Sequence, residues 1–125
     1  MRRQSLVIIA AAAISALAVN LADAAPPPAQ EAALRSLISA AAIGRVDEAA
    51  LTPALAAAFR PQEAIAQKEL QALGALKTVA WQRSLPDGSE VYLTTFEHGA
   101  LEWAFAQTAD GHIANAMYRT PRVTP

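Results

Sequence analysis

The side chains able to do chemistry are few in this chain, and none stands at a catalytic spacing. The 125 residues include two histidines and no cysteine. That removes thiolate nucleophiles, thiolate metal sites, redox pairs and disulfides together. His98 sits beside Gly99 and His112 follows Gly111, so both read as exposed turn positions. Two histidines without a third ligand at fixed spacing make no metal site. Ser36, Ser39, Ser84 and Ser89 lack nucleophile-elbow glycines and a histidine partner, which leaves a hydrolytic triad without support. No glycine-rich phosphate loop occurs. The sequence therefore predicts no catalytic residue, no cofactor and no metal.

Glu102 is the carboxylate of most interest, because Leu101 and Trp103 flank it in the middle of a strand-like run. One reading makes it a desolvated general base or ligand anchor in an apolar patch. The plainer reading is a solvated carboxylate that discourages sheet-to-sheet aggregation. Glu97 lies beside a turn and takes no role. Trp81, Tyr92 and Trp103 form an aromatic set, with Arg83 on the parity of Trp81. The set either lines a pocket with Arg83 at its rim or is ordinary core.

These residues must be positioned by two kinds of element. Leu34, Leu37, Ile38 and Ala41 fall at i, i+3, i+4 and i+7, one face of a helix running to about Ile43 and closed by Gly44. Thr52-Pro53 reads as N-cap and first residue of a shorter helix through Phe59, with Leu55 and Phe59 as its apolar side. After Pro61 a third helical stretch carries Ile65, Leu70 and Leu73 and stops at Gly74. Alanine dominates these stretches, so the helical reading owes part of its strength to composition.

Beyond Gly74 the period changes from 3.6 to 2. Val79 and Trp81 open an alternating run, Pro86-Asp87-Gly88-Ser89 is a turn, and Glu90 to Glu97 is β-rich. His98-Gly99 turns the chain into Ala100 to Gln107, and Ala109-Asp110-Gly111 leads to a last strand from His112 to about Arg119. Four strands with three short turns predict an antiparallel meander. Two-residue loops at Asp87-Gly88 and His98-Gly99 would set Trp81 opposite Thr94, Thr94 opposite Trp103, and Phe96 opposite Leu101. Val79, Trp81, Tyr92, Phe96, Leu101, Trp103 and Phe105 then share the side that must meet the helices. The reverse side holds Ala80, Val91, Leu93, Thr95, Ala104 and Ala106 with Glu102 among them, flatter and more apolar than a solvated sheet. The register of the last strand is left open between two and three loop residues.

The run from Gly74 to Trp81, then Gly88 to Tyr92, Phe96-Glu-His-Gly99, Leu101-Glu-Trp103 and Asp110-Gly-His-Ile113 resembles small NTF2-like domains of exported bacterial proteins. The order of helices followed by a curved sheet is similar to the cystatin-like α+β roll. The resemblance implies two or three short N-terminal helices packed on a curved four-stranded antiparallel meander. It also implies an accessory role, with no substrate attached. The Gln-x-Val-x-Gly hairpin and late Pro-Trp pair of inhibitory cystatins are missing, which argues against protease inhibition of that kind.

The start of the chain sets the expected location. Arg2 and Arg3 precede an uncharged apolar run from Leu6 to Val19, and Ala22-Asp23-Ala24 follows. These are the three parts of a secretory signal peptide, too short to span a bilayer, which takes about 20 apolar residues. The expected organisation is a signal peptide over 1–24, an unstructured Pro-rich spacer over 25–30, one domain over 31–120 and a tail over 121–125. Export to the periplasm or beyond follows, without stable membrane anchoring after cleavage. Without Arg2, Arg3 and Asp23 eight basic residues face ten acidic ones, a net of −2. Nothing there suits nucleic acid, which calls for a clustered basic face.

Two functions are carried forward. The leading one is a non-enzymatic accessory or interaction domain, forming a homodimer or meeting an unidentified exported partner through Val91, Leu93, Glu102 and Ala104. The alternative is a small-molecule binder or simple enzyme, with Trp81, Arg83, Tyr92 and Trp103 lining a cavity between helices and sheet.

Overall fold

The computed structural model describes residues 25–121, so the expected signal peptide lies outside the described residues. The architecture is α+β, with helices packed against one face of a four-stranded antiparallel sheet. Helix α1 spans Pro28–Ala42, α2 Pro53–Phe59 and α3 Glu63–Leu73. Single 3-10 turns at Glu48–Ala50 and Arg60–Gln62 precede and follow α2. Strands β1 (Leu76–Ser84), β2 (Glu90–Phe96), β3 (Gly99–Gln107) and β4 (Ile113–Arg119) lie in the order of the chain. Among the described residues no helix is long and apolar enough to cross a membrane.

The first helix begins earlier than its apolar spacing suggests. Pro28 occupies the first turn, where its missing N–H costs nothing and its fixed φ suits the helix. Half of the expected spacer is therefore helical, and Gln30 accepts a hydrogen bond at 2.9 Å from the Tyr92 hydroxyl. Leu34, Leu37, Ile38 and Ala41 form the buried stripe of α1. Thr52 caps α2 as its type predicts, accepting from the Leu55 N–H at 3.2 Å. In α3 the buried positions are Ala66 and Leu70, whereas Ile65 points to solvent. Ala66, Leu70 and Leu73 keep i, i+4, i+7 spacing, and Ile65 falls one step off that stripe.

The core joins this helical stripe to Tyr92, Phe96, Leu101, Trp103 and Phe105 on the inner face of the sheet. Phe105 is fully buried, and the Tyr92 ring meets it edge-on at 6.5 Å. Trp103 stacks at a tilt on Tyr118, with ring centroids 4.9 Å apart. Both tyrosine hydroxyls find acceptors, Gln30 for Tyr92 and Glu69 for Tyr118.

Burial, reinforced by the charges of Glu90 and Glu31, pushes the Tyr92 hydroxyl up from 10.0 to about 12. Burial and the hydrogen bond to Glu69 raise Tyr118 as well. Raised folded-state values mean the folded chain keeps protons that the unfolded chain has lost. For Tyr92 this contribution to stability is complete below pH 10 and disappears as pH rises through about 12; that of Tyr118 is lost at higher pH. Tyr92 and Tyr118 are the chain's two tyrosines, so tyrosinate absorbance should rise together with loss of secondary structure. Titration near the ordinary value in a chain that stays folded would contradict both assignments.

The strand pairings differ from the expected ones by small steps with unequal consequences. The middle hairpin turns at Glu97-His98, so Tyr92 faces Trp103 and Thr94 faces Leu101. That slip of two residues preserves every face. The first hairpin has a three-residue loop, closed by the Leu85 N–H donating to the Ser89 carbonyl at 2.8 Å, with Gly88 at φ 93°. A bulge between Trp81 and Arg83 then shifts the register once more. The two one-residue shifts cancel for Trp81, which faces Tyr92, and for Val79. They do not cancel for Arg83, which lies between them opposite Val91 and so stands on the reverse face. The last hairpin repeats the device, with a three-residue loop ending at Gly111 and a bulge beside Gln107. Tyr118 thereby pairs with Trp103 on the inner face, and Met117 with Ala104 on the outer one.

Candidate functional site

The four side chains expected to line a ligand cavity separate in the structure. Tyr92 and Trp103 are core, at 1% and 3% exposure. Trp81 packs at the core's edge, its indole N–H donating to Glu90 at 2.8 Å, and Ser84 donates to the same carboxylate oxygen at 2.6 Å. Arg83 lies across the sheet from all three, for the register reason above. The aromatic set therefore fills the space between helices and sheet, and Arg83 does not share it.

The four residues expected at an interface do share a surface. Pairing puts Val91 beside Ala104, and Leu93 beside Glu102, on the open face. The row through Val91 and Ala104 runs from Arg83 on β1 to Met117 on β4. The next row runs from Ala80 through Leu93 and Glu102 to Arg119. Glu102 is neither a free base nor a lone solvated carboxylate. One of its oxygens accepts from Arg119 Nε at 2.8 Å and lies 2.7 Å from Nη2, while the other lies 3.7 Å from Arg83 Nη1. Ion pairing from β1 and β4 thus converges on β3. Val91 is only 3% exposed, so the largely wet apolar face expected from sequence is partly closed within the monomer.

A second place was not visible in the sequence. An open groove of about 600 Å³ runs between the Glu48–Ala50 turn, the start of α2 and the β3–β4 turn. Its apolar wall is Leu51 and Ala56, and two ion pairs edge it. Arg60 grips Glu48 through Nε at 3.0 Å and Nη2 at 2.8 Å, which holds the Glu48 carboxyl below the usual range. His112 Nδ1 lies 3.0 Å from Asp110. Hydrogen bonds from Thr108 and then from His112 bring the Asp110 carboxyl down to about 2. Only the Asp110-Gly111-His112 run is local in sequence; Glu48 and Arg60 arrive through the fold. His98 sits at the opposite end of β3, in the β2–β3 turn, so the histidines share no site. Among the described residues no three His, Asp or Glu side chains are grouped to hold a metal ion.

No protein-family model, no curated protein and no solved structure matches this chain.

Proposed function

We propose that this protein is an exported, non-enzymatic accessory domain that acts by association through the open face of its sheet. The carrying observation is that face: Leu93, Ala104 and Met117 stand partly buried around a carboxylate ion-paired with two arginines. Contiguous apolar surface of this kind marks partner sites more often than catalytic ones. The occupant is a second copy or another exported protein. Export rests on Arg2-Arg3, the Leu6 to Val19 run and Ala22-Asp23-Ala24. An intact mass beginning at Ala25 after bacterial secretion supports it, and retention of the first 24 residues refutes it. The NTF2-like or cystatin-like roll is part of the same proposal and rests on the order of helices and meander.

Leu93→Glu tests the face. It introduces a charge beside Glu102 on the outer side of β2, away from the core. Circular dichroism should stay native, and a dimer seen by light scattering should dissociate. A dimer that survives the substitution places its interface elsewhere and ends the open-face reading. A monomeric wild type leaves another protein as the occupant.

One observation favours the small-molecule alternative, in a new place. Its groove is the one beside His112, where apolar wall and polar rim meet as ligand sites require. Fragment hits in an NMR screen that shift the Leu51, Thr52 and His112 amides together would favour it. Hits scattered over the surface would count against it.

A further inference from the structure

The open sheet face carries an uneven charge count. Arg83 and Arg119 are 50% and 57% exposed in their side chains, while Glu102 between them is only 17% exposed. Arg119 takes one carboxylate oxygen at hydrogen-bond distance. Arg83 reaches the other only at 3.7 Å, too far for a hydrogen bond. Two guanidinium groups therefore share one carboxylate, leaving about one positive charge on a chain whose formal charge is −1. Arg83 also keeps donors without partners among the described residues. Leu93, Ala104 and Met117 lie between and beside these groups. The combination is an apolar strip with an underused guanidinium at its edge, which fits an acid group flanked by apolar side chains.

We propose that this face receives a carboxylate-bearing apolar segment of a different exported protein, with Arg83 taking the acid group. The inference rests on the association reading above and names its partner by chemistry. A second copy fits less well, because it presents the same excess of guanidinium groups and like charges would meet. Glu102 acts as the internal rival for the two arginines, so a partner's carboxylate competes with it.

The test uses purified, isotope-labelled protein and two blocked peptides, acetyl-Ser-Leu-Glu-Leu-Ser-amide and its counterpart with glutamine at the centre. Saturable shifts are expected at the amides of Arg83, Val91, Leu93 and Glu102, with the acidic peptide binding about tenfold more tightly. Arg83→Gln should remove that preference. Glu102→Gln should strengthen binding of the acidic peptide severalfold, which a purely structural role for Glu102 does not predict. Equal binding of both peptides overturns acid recognition but keeps the face as an association surface. Weaker binding in Glu102→Gln overturns the competition. A wild-type dimer abolished by Leu93→Glu assigns the face to a second copy and overturns this proposal alone. A monomer that binds neither peptide overturns this proposal and leaves the face to a partner of other chemistry.

Discussion

Replacing Trp103 by alanine is expected to cost about 3–5 kcal/mol, the range for removing a buried aromatic from a packed core. A domain of this size has only about 5–15 kcal/mol in total. The position explains the size of the effect. Trp103 lies on the inner face of β3, between Tyr92 on β2 and Tyr118 on β4, and is 3% exposed. Its removal opens a void against two rings that are themselves fixed by hydroxyl bonds to Gln30 and Glu69. Those rings are tethered and cannot collapse freely into the space. The indole N–H is buried without a partner among the described residues, a cost already present in the native chain. Trp103→Phe deletes that orphan donor along with part of the ring, so its net cost should be less than half that of alanine. Chemical denaturation of the two variants checks the pair. A Trp103→Phe loss of more than half the alanine loss would show that the orphan N–H carries little penalty; a small loss in Trp103→Ala would show that the site is not packed core.

The prominence of Trp103 in the core was legible from alternation alone, whereas the position of Arg83 was not. Period-2 patterning identifies faces as long as register errors come in twos, which is why a hairpin turn displaced by one residue, shifting every pair by two, did no harm. A bulge is different. Gln82 is an ordinary polar residue, and nothing in its type announces that it will be the extra residue between Trp81 and Arg83. The expected pocket lost its cation for that reason. Ile65 failed for another. In an alanine-rich helix the core stripe can be built from alanine, so the largest apolar side chain is a poor guide to the buried face. Spacing back from Leu70 and Leu73 points to Ala66. The groove beside His112 was hidden because Glu48, Arg60 and His112 meet only after the sheet and helices are placed.

Gly74→Ala is expected to be the second most damaging change, at about 2 kcal/mol or more, through two independent terms. Gly74 ends α3 with φ 84° and ψ −159°, a region that side chains with a Cβ essentially do not enter. An added Cβ would also lie 2.5 Å from Glu97 Oε1 and 3.1 Å from Glu97 Cβ. Glu97 cannot simply swing away without consequence. Its carboxylate accepts the Ala75 N–H at 2.9 Å, which is the main reason it stays ionised to lower pH than an ordinary glutamate. Around it the Glu97 N–H donates to the Ala75 carbonyl and the His98 N–H to the Leu73 carbonyl. The β2–β3 turn therefore caps the end of α3, and this small knot joins the helical layer to the sheet. Gly88→Ala supplies the control, since Gly88 also has positive φ but its added Cβ meets open space. That variant should lose only the backbone term, roughly 1 kcal/mol. The excess loss at Gly74 combines its more restrictive backbone region with the contact with Glu97. Adding Glu97→Ala to Gly74→Ala should recover part of that excess, because it removes the collision along with the carboxylate. If the two glycine variants lose equal stability, the α3 terminus yields freely, and the helical layer is held to the sheet by its apolar stripe alone.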